Sequence, residues 1–407
     1  MSRILFRMWK FPRVSETFMI SQFKSAKKAG FKIDLALKGS LRDESSNIEL
    51  LEEIDSESRI YSEDSLIPYS RIKKLFRATL IILTNIFSAK IFFKLFRNYG
   101  VKAFDYLIQF SFFKKFNKHQ IIHIQYGTNA KPLDILKKYG LIKNKIIISF
   151  HGHDAFFPIN NKIFDRDYYK DIFEFADLII ANTPYLKTQL LKIGCPEERI
   201  KLLPVGVDTK FFNPTPIERD SETFSMITIG RLSKVKGHVY AIEAVQRLRK
   251  KGYNVKLTII GEGPLRIELQ SRIRDSELQD IIHLVGRKNQ QEIKSFLMTS
   301  DIYISTSMPV RAGRRETQGL ANLEAQACGL PIVAFNSGGV KYTLLELVTG
   351  FLVDEGDVDA LTEKIERLML NQDLRKKMGL SAVNFVQNHF NQDSLDKEWE
   401  NIYKSLL

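Results

Sequence analysis

The sequence predicts an α/β protein built from two Rossmann-like parallel sheets, and three observations carry the prediction. Short apolar, β-branched runs alternate with longer helix-like segments from one end of the chain to the other, the pattern of parallel strands joined by crossover helices. The stretch from Pro204 to Glu222 holds Pro204, Pro214 and Pro216 among polar residues; it divides the series in two and reads as a linker. Small or charged loops follow several of the strand-like runs, where doubly wound sheets bind their ligands.

In chain order, the first half offers strands at Ile4 to Met8, Lys32 to Ala36, Ile121 to Gln125, Ile146 to Phe150, Leu178 to Ala181 and Ile200 to Leu203. The second half offers Ser225 to Ile229, Val255 to Ile260, Ile281 to Val285, Ile302 to Ser305, Ile332 to Phe335 and Phe351 to Val353. These place an N-terminal domain at 1–205 and a C-terminal domain at 220–385. The tail, 391–407, carries Leu395, Trp399, Ile402 and Tyr403 on one side of a helix and is expected to pack back on the N-terminal domain.

At 407 residues, with 44% apolar and 27% charged content, the chain can fill two cores, and a mainly disordered protein is excluded. Cys195 and Cys328 stand far apart, with no Cys or His at metal-ligand spacing. That argues against a disulfide framework and a zinc site, and it fits a reducing cytoplasm. The opening Met1-Ser2-Arg3-Ile4-Leu5-Phe6-Arg7 lacks the apolar core of a signal peptide and reads as the first buried strand. The best transmembrane candidate, Ala78 to Ala89, contains Thr79, Thr84, Asn85 and Ser88 and falls short of the roughly 18 apolar residues needed.

The net charge of +14 is unevenly distributed. From Arg71 to Lys118 eleven Lys or Arg stand against one acid, Asp105, interleaved with rings such as Phe76, Phe93, Phe104 and Phe113. This is the chemistry of interfacial helices, whose apolar rings enter a lipid headgroup boundary while basic side chains face anionic lipid. An ordinary core with a basic rim is the competing reading. Nucleic acid ranks below both, because the window has no recognisable binding motif and carries the aliphatic run Leu80-Ile81-Ile82-Leu83.

The loops hold the candidate chemistry. Glu316 and Glu324 stand eight residues apart, and Gly319 is the expected break between a loop and a helix starting near Leu320. Glu316 then precedes that helix and Glu324 lies on its second turn, with the phosphate-favouring N-terminus between them. A bare pair of this spacing is more often a solvated pair on a surface helix, and the rest of the chain reverses that balance. After Ile229, the turn Gly230-Arg231-Leu232-Ser233-Lys234-Val235-Lys236-Gly237 sets Arg231 and Lys236 before another helix, near Val239 to Arg249, where two cations could hold a diphosphate. Alone, such a turn also reads as solvated. After Ile260, Gly261 and Gly263 flank Glu262 in a loop that permits either close approach to a flat ring or a tight turn. After Phe150, His151-Gly152-His153-Asp154 offers His151 as a catalytic or sugar-binding residue, or as a structural histidine capped by Asp154.

Taken in order, these elements resemble the family 4 retaining glycosyltransferases over essentially the full length. The resemblance rests on the loop at His151, Ala176 to Thr183, Val205-Gly206-Val207-Asp208 before Phe211-Phe212, the turn from Gly230 to Gly237, the Gly261 to Pro264 loop, and the Glu316 to Glu324 block with Gly329-Leu330-Pro331. Phe11 to Phe18 is similar to the opening of the subgroup that assembles colanic acid, capsule and O-antigen. The resemblance implies the GT-B architecture, two Rossmann-like domains facing a central cleft. It also implies a retaining hexosyltransferase acting from a UDP or GDP sugar on a lipid-linked saccharide, at the cytoplasmic face of the membrane. No metal or other cofactor is expected.

By that resemblance Arg231 and Lys236 bind the donor diphosphate, Glu324 the ribose hydroxyls and Glu316 the transferred sugar, while Gly319 and Leu320 meet phosphate or sugar through their backbone. Gly261, Gly263, Val285 and Gly286 frame the base. His151, Glu316, Arg231 and Lys236 form the implied catalytic set, with Ser15, Glu16 and Asp154 near the acceptor or sugar. Three departures stand out: Pro12 to Thr17 replaces a glycine-rich first loop, Val205 stands where Asn is frequent, and Lys341-Tyr342 replaces the usual Pro-Glu. The alternatives are a GT-B enzyme acting on soluble sugar nucleotides, or a non-catalytic subunit of a polysaccharide assembly complex.

Overall fold

Strands covered on both faces need apolar side chains at every position, and the β-branched runs of this chain supply them. A computed structural model describes residues 2–10, 17–39, 58–85, 88–160, 162–215, 222–310 and 313–407. Among them, the strands form two all-parallel sheets. The first takes β1 (Arg3–Met8), β2 (Lys32–Leu37), β3 (Arg59–Ser62), β4 (Ile121–Gln125), β5 (Lys145–Ser149), β6 (Leu178–Ala181) and β7 (Ile200–Leu202) in the order β3-β2-β1-β4-β5-β6-β7. The second takes β8 (Phe224–Ile229), β9 (Val255–Ile260), β10 (Ile282–Leu284), β11 (Ile302–Ser305), β12 (Ile332–Phe335) and β13 (Gly350–Val353) in the order β10-β9-β8-β11-β12-β13. In each sheet the direction of strand addition reverses once, between β1 and β4 and between β8 and β11. Those switch points open the crevices that ligands use in such sheets.

The chain divides into two compact units. One comprises Met1–Ala181, Lys187–Leu202 and Asp396–Leu407; the other comprises Asn182–Leu186 and Leu203–Leu395. In the second unit the period of two along each strand sorts side chains onto two faces. Met226, Ile302, Ile304, Val333 and Phe335 enter one core with Ile242, Val245 and Leu361. Ile227, Tyr303, Ile332 and Ala334 enter the other with Leu323 and Leu330.

The first unit is completed by the end of the chain. In the Gln392–Ser405 helix, Trp399 and Tyr403 are buried and stack on each other, with centroids 5.5 Å apart. The Tyr403 hydroxyl lies 3.0 Å from His123 Nδ1, and the Asp396 carboxylate accepts hydrogen bonds from Ser25 (2.7 Å) and Lys28 (3.0 Å).

One strand escaped the sequence reading: β3, with sequence RIYS, is a half-exposed edge strand that lacks the apolar run of its neighbours. The basic aromatic window from 71 to 118 also divides. Phe92, Phe110, Phe112, Phe113 and Phe116 are core residues, whereas Ile72, Phe76 and Phe93 are largely exposed. No helix among the described residues is long and apolar enough to cross a membrane.

Candidate active site

The loops after β8 and β11 meet at the second sheet's switch point. Gly237, in the left-handed region at φ 59°, starts the His238–Lys250 helix, and Lys236 just before it reaches Glu316 with an Nζ to carboxylate distance of 2.5 Å. Gly319 has φ 90°, a conformation that penalises any residue with a Cβ, and it starts the Leu320–Ala327 helix. Glu316 therefore precedes the helix and Glu324 sits on it. The N-terminal end of the Leu320–Ala327 helix borders a shallow pocket lined by Thr228, Lys236, His238, Tyr303, Thr306 and Asn322.

The two carboxylates share one ammonium and ionise differently. Burial pushes the Glu316 carboxyl up, but the charge and hydrogen bond of Lys236, helped by the Thr317 backbone and Arg314, hold it below its ordinary range. Burial also pushes Glu324 up, to about 7, and the more distant charge of Lys236 only partly opposes it. Glu316 is thus an anion already paired, while Glu324 has no hydrogen-bond partner among the described residues. His238, which also lines the pocket, is 3% exposed. Burial, then the Lys236 charge, drives it down to about 4, so it is neutral.

The loop that presents Glu316 is pinned at each residue. Arg315 forms a bidentate pair with Glu355 (2.6 and 2.9 Å), and the Glu316 carbonyl accepts from the Gly339 amide (2.8 Å). The Thr317 carbonyl accepts from the Thr183 hydroxyl (2.7 Å), and the Gln318 side chain bonds both backbone groups of Val205 (3.0 and 2.7 Å). Position 205 is used through its main chain, which explains why valine serves there. A Cβ on Gly339 would lie 1.7 Å from the Thr317 carbonyl oxygen, so this glycine is required by packing against the Glu316 loop.

Other expected residues lie on the neighbouring loops. Arg231 is exposed and forms no ion pair among the described residues. The glycines after β9 approach the protein itself: a Cβ on Gly261 would lie 2.0 Å from the Gly230 carbonyl oxygen, and one on Gly263 2.4 Å from that of Leu232. Their lack of a side chain is needed for this packing against the turn after β8, the tight-turn alternative of the sequence reading. Val285 and Gly286 follow β10, and the Gly286 carbonyl accepts from the Gly261 amide (2.9 Å), so these loops form one rim. Ser15 and Glu16 lie outside the described residues. The sequence reading missed Thr306, Asn322 and His238; Thr306 was findable, because Thr306-Ser307 directly follows the strand ending at Ser305.

In the first unit His151 follows β5. Its Nε2 lies 2.8 Å from Gln125 Oε1, and the Gln125 amide continues to Gln22 Oε1 (2.6 Å). With the amide so oriented, His151 Nε2 carries the proton and Nδ1 is the basic nitrogen. Burial depresses its pKa to about 4, with Asp154 opposing, so the imidazole is neutral. Asp154 is sealed from solvent and accepts from the amides of His151 (3.2 Å), Gly152 (2.8 Å) and Gly127 (2.8 Å). It fastens the histidine loop.

Residues 210–384 match the family described as Glycosyl transferases group 1, and 77–211 match Glycosyltransferase Family 4. A glycosyltransferase named for colanic acid biosynthesis, WcaL of Escherichia coli (strain K12), is 25% identical across 99% of this chain and 100% of its own. The amylovoran biosynthesis glycosyltransferase AmsK of Erwinia amylovora is 31% identical across 67% of this chain and 66% of its own. Anabaena HepE, solved with UDP and glucose, has the same fold, with a TM-score of 0.72 and 17% identity over the whole of both chains. With both sheets of the GT-B fold and the ordered motifs in place, the chain belongs to the family 4 glycosyltransferases.

Proposed function

We propose that the protein moves a hexosyl group, with retention at the anomeric carbon, from a UDP- or GDP-sugar to a lipid-linked saccharide during polysaccharide assembly at the inner face of the cell membrane. The observation that carries this reading is the Lys236–Glu316 pair set before the N-terminus of the Leu320–Ala327 helix, with Glu324 unbonded one turn further on. The acceptor hydroxyl oxygen bonds to the anomeric carbon on the face from which the diphosphate departs. The sugar–phosphate C–O bond breaks with its electron pair on the leaving oxygen, and that oxygen takes the acceptor's proton. Negative charge grows on the diphosphate, where Lys236, Arg231 and the helix N-terminus oppose it. A cation about 4 Å away contributes on the order of 4 kcal/mol at an effective dielectric near 20, before desolvation. These charges need no metal, and full activity in EDTA is expected.

We assign Glu324 to the ribose hydroxyls, Glu316 to the transferred sugar and His151 to the saccharide. The polysaccharide pathway is taken from the names of WcaL and AmsK, UDP as one donor class from the HepE complex, and the lipid-linked acceptor from the sequence resemblance. The test is thermal stabilisation by UDP, GDP, ADP and dTDP, followed by transfer assays. One nucleotide at about 100 times its dissociation constant should add about 2.7 kcal/mol to stability. Lys236→Ala should lose that shift and slow transfer by about a hundredfold or more. No shift with any nucleotide, or wild-type turnover in Lys236→Ala, overturns the reading.

A further inference from the structure

The Arg71–Thr84 helix is amphipathic, yet its apolar face points away from the protein. It packs on the Ala103–Phe113 helix through Ala78 and through the Lys74–Asp105 ion pair (2.7 Å). On the other side Ile72 is 80% exposed, Phe76 72%, Leu83 66%, Leu80 53% and Leu75 52%. At 100° per residue these five side chains fall within an arc of about 140°, and at 1.5 Å per residue the stripe runs about 17 Å. Scattered exposed leucines need no explanation; five large apolar side chains in one stripe do.

The charges beside the stripe identify what covers it. Arg71, Lys73 and Arg77 flank the arc and are exposed. In the next helix, Ala89–Tyr99, which also packs on the Ala103–Phe113 helix, Phe93 is 69% exposed and is surrounded on the surface by Lys90, Lys94 and Arg97. The one acid of the window, Asp105, is engaged by Lys74. An apolar stripe bordered by cations matches a layer that is apolar inside and anionic at its surface. A second copy of this chain would bring the same cations against themselves, and nucleic acid would leave the apolar side chains in water.

We propose that the Arg71–Thr84 helix is a monotopic membrane anchor, lying in the plane of an anionic bilayer with Ile72, Phe76 and Leu83 among the acyl chains and Arg71, Lys73 and Arg77 at the phosphates. It deepens the reading of a lipid-linked acceptor and rests on it for the membrane's part in transfer; the surface itself follows from the helix. Full-length protein is mixed with vesicles of phosphatidylcholine alone or with two-fifths phosphatidylglycerol, and floated on a density gradient. The protein is expected to float with the anionic vesicles and to be released by high salt. Ile72→Ser/Phe76→Ser/Leu83→Ser should cut vesicle binding by tenfold or more, while its nucleotide-induced thermal shift stays that of the wild type. Arg71→Ala/Lys73→Ala/Arg77→Ala should also weaken binding and reduce its salt dependence. Failure of the wild type to float, undiminished flotation of the apolar triple variant, or a dimer that this variant abolishes without any vesicle binding overturns the inference. Loss of the nucleotide shift with flotation intact would instead overturn the functional reading and leave the anchor standing.

Discussion

Glu324 is a carboxyl whose surroundings hold its pKa near 7, while Glu316, bonded to Lys236, stays ionised. Hydroxyl groups donate more strongly to a carboxylate than to a carboxylic acid, so donor affinity should follow Glu324 ionisation. With a nucleotide sugar, whose diphosphate diester does not titrate in this range, affinity is expected to rise about tenfold between pH 6 and pH 8. Glu324→Gln should flatten that profile, and a wild-type affinity independent of pH would exclude the ribose role. The same group affects stability in the opposite direction. Folding raises its pKa above 4.5, so between that value and about 7 the folded state keeps a proton that the unfolded state releases, and stability falls as pH rises through that window. Much of the residue scale was legible in the sequence. Glu316, Gly319 and Glu324 occupy the places their spacing implied, because a loop, a left-handed glycine and a helix follow from local chemistry. That Glu316 is paired with Lys236, 80 positions away, depends on strand order and had no local signal.

At the scale of elements, the working unit is the loop after β11 held by the Ser337-Gly338-Gly339 turn after β12. The turn presents a backbone amide to Glu316 and leaves no room for a side chain on Gly339. Gly339→Ala must move one backbone or the other, and a shift of about 1 Å in a catalytic group costs on the order of a hundredfold in rate. Steady-state transfer should therefore drop by that factor and the melting temperature should fall as well, so kcat is compared at a temperature where the variant is folded; unaltered kcat would show that the turn does not position Glu316. The sequence marked this turn as a small-residue loop after a strand, without its purpose. It marked the Gly261 loop in the same terms, and there the close approach is to the Gly230 and Leu232 carbonyls. Small residues announce a close approach but not the partner, since the partner is chosen by the sheet.

Across the whole molecule, the last dozen residues belong with the first sheet. Trp399 and Tyr403 stand against His123 and Phe6 in the core of the first unit, with Trp399 4% exposed. Trp399→Ala should therefore cost about 3–5 kcal/mol, measured as a shift of the denaturation midpoint monitored by far-ultraviolet dichroism. A change below 1 kcal/mol would show that the tail only decorates the surface. The amphipathic pattern of the tail was plain in the sequence, as were both sheets, because hydrophobic periodicity survives without an alignment. The chain's excursion from Asn182 to Leu186 into the second unit was not, since a five-residue visit leaves no periodicity to read.

The Lys236–Glu316 bond also bears on how a turnover ends. The lysine already has a counter-ion within its own unit, so an entering anion would have to displace Glu316 to gain the full charge of Lys236. Once the sugar has gone, the leftover nucleoside diphosphate must compete with Glu316 for the same ammonium. On the proposed assignment of the donor diphosphate to Lys236, the carboxylate would help to expel the product, and removing its charge should make the protein hold its spent nucleotide longer.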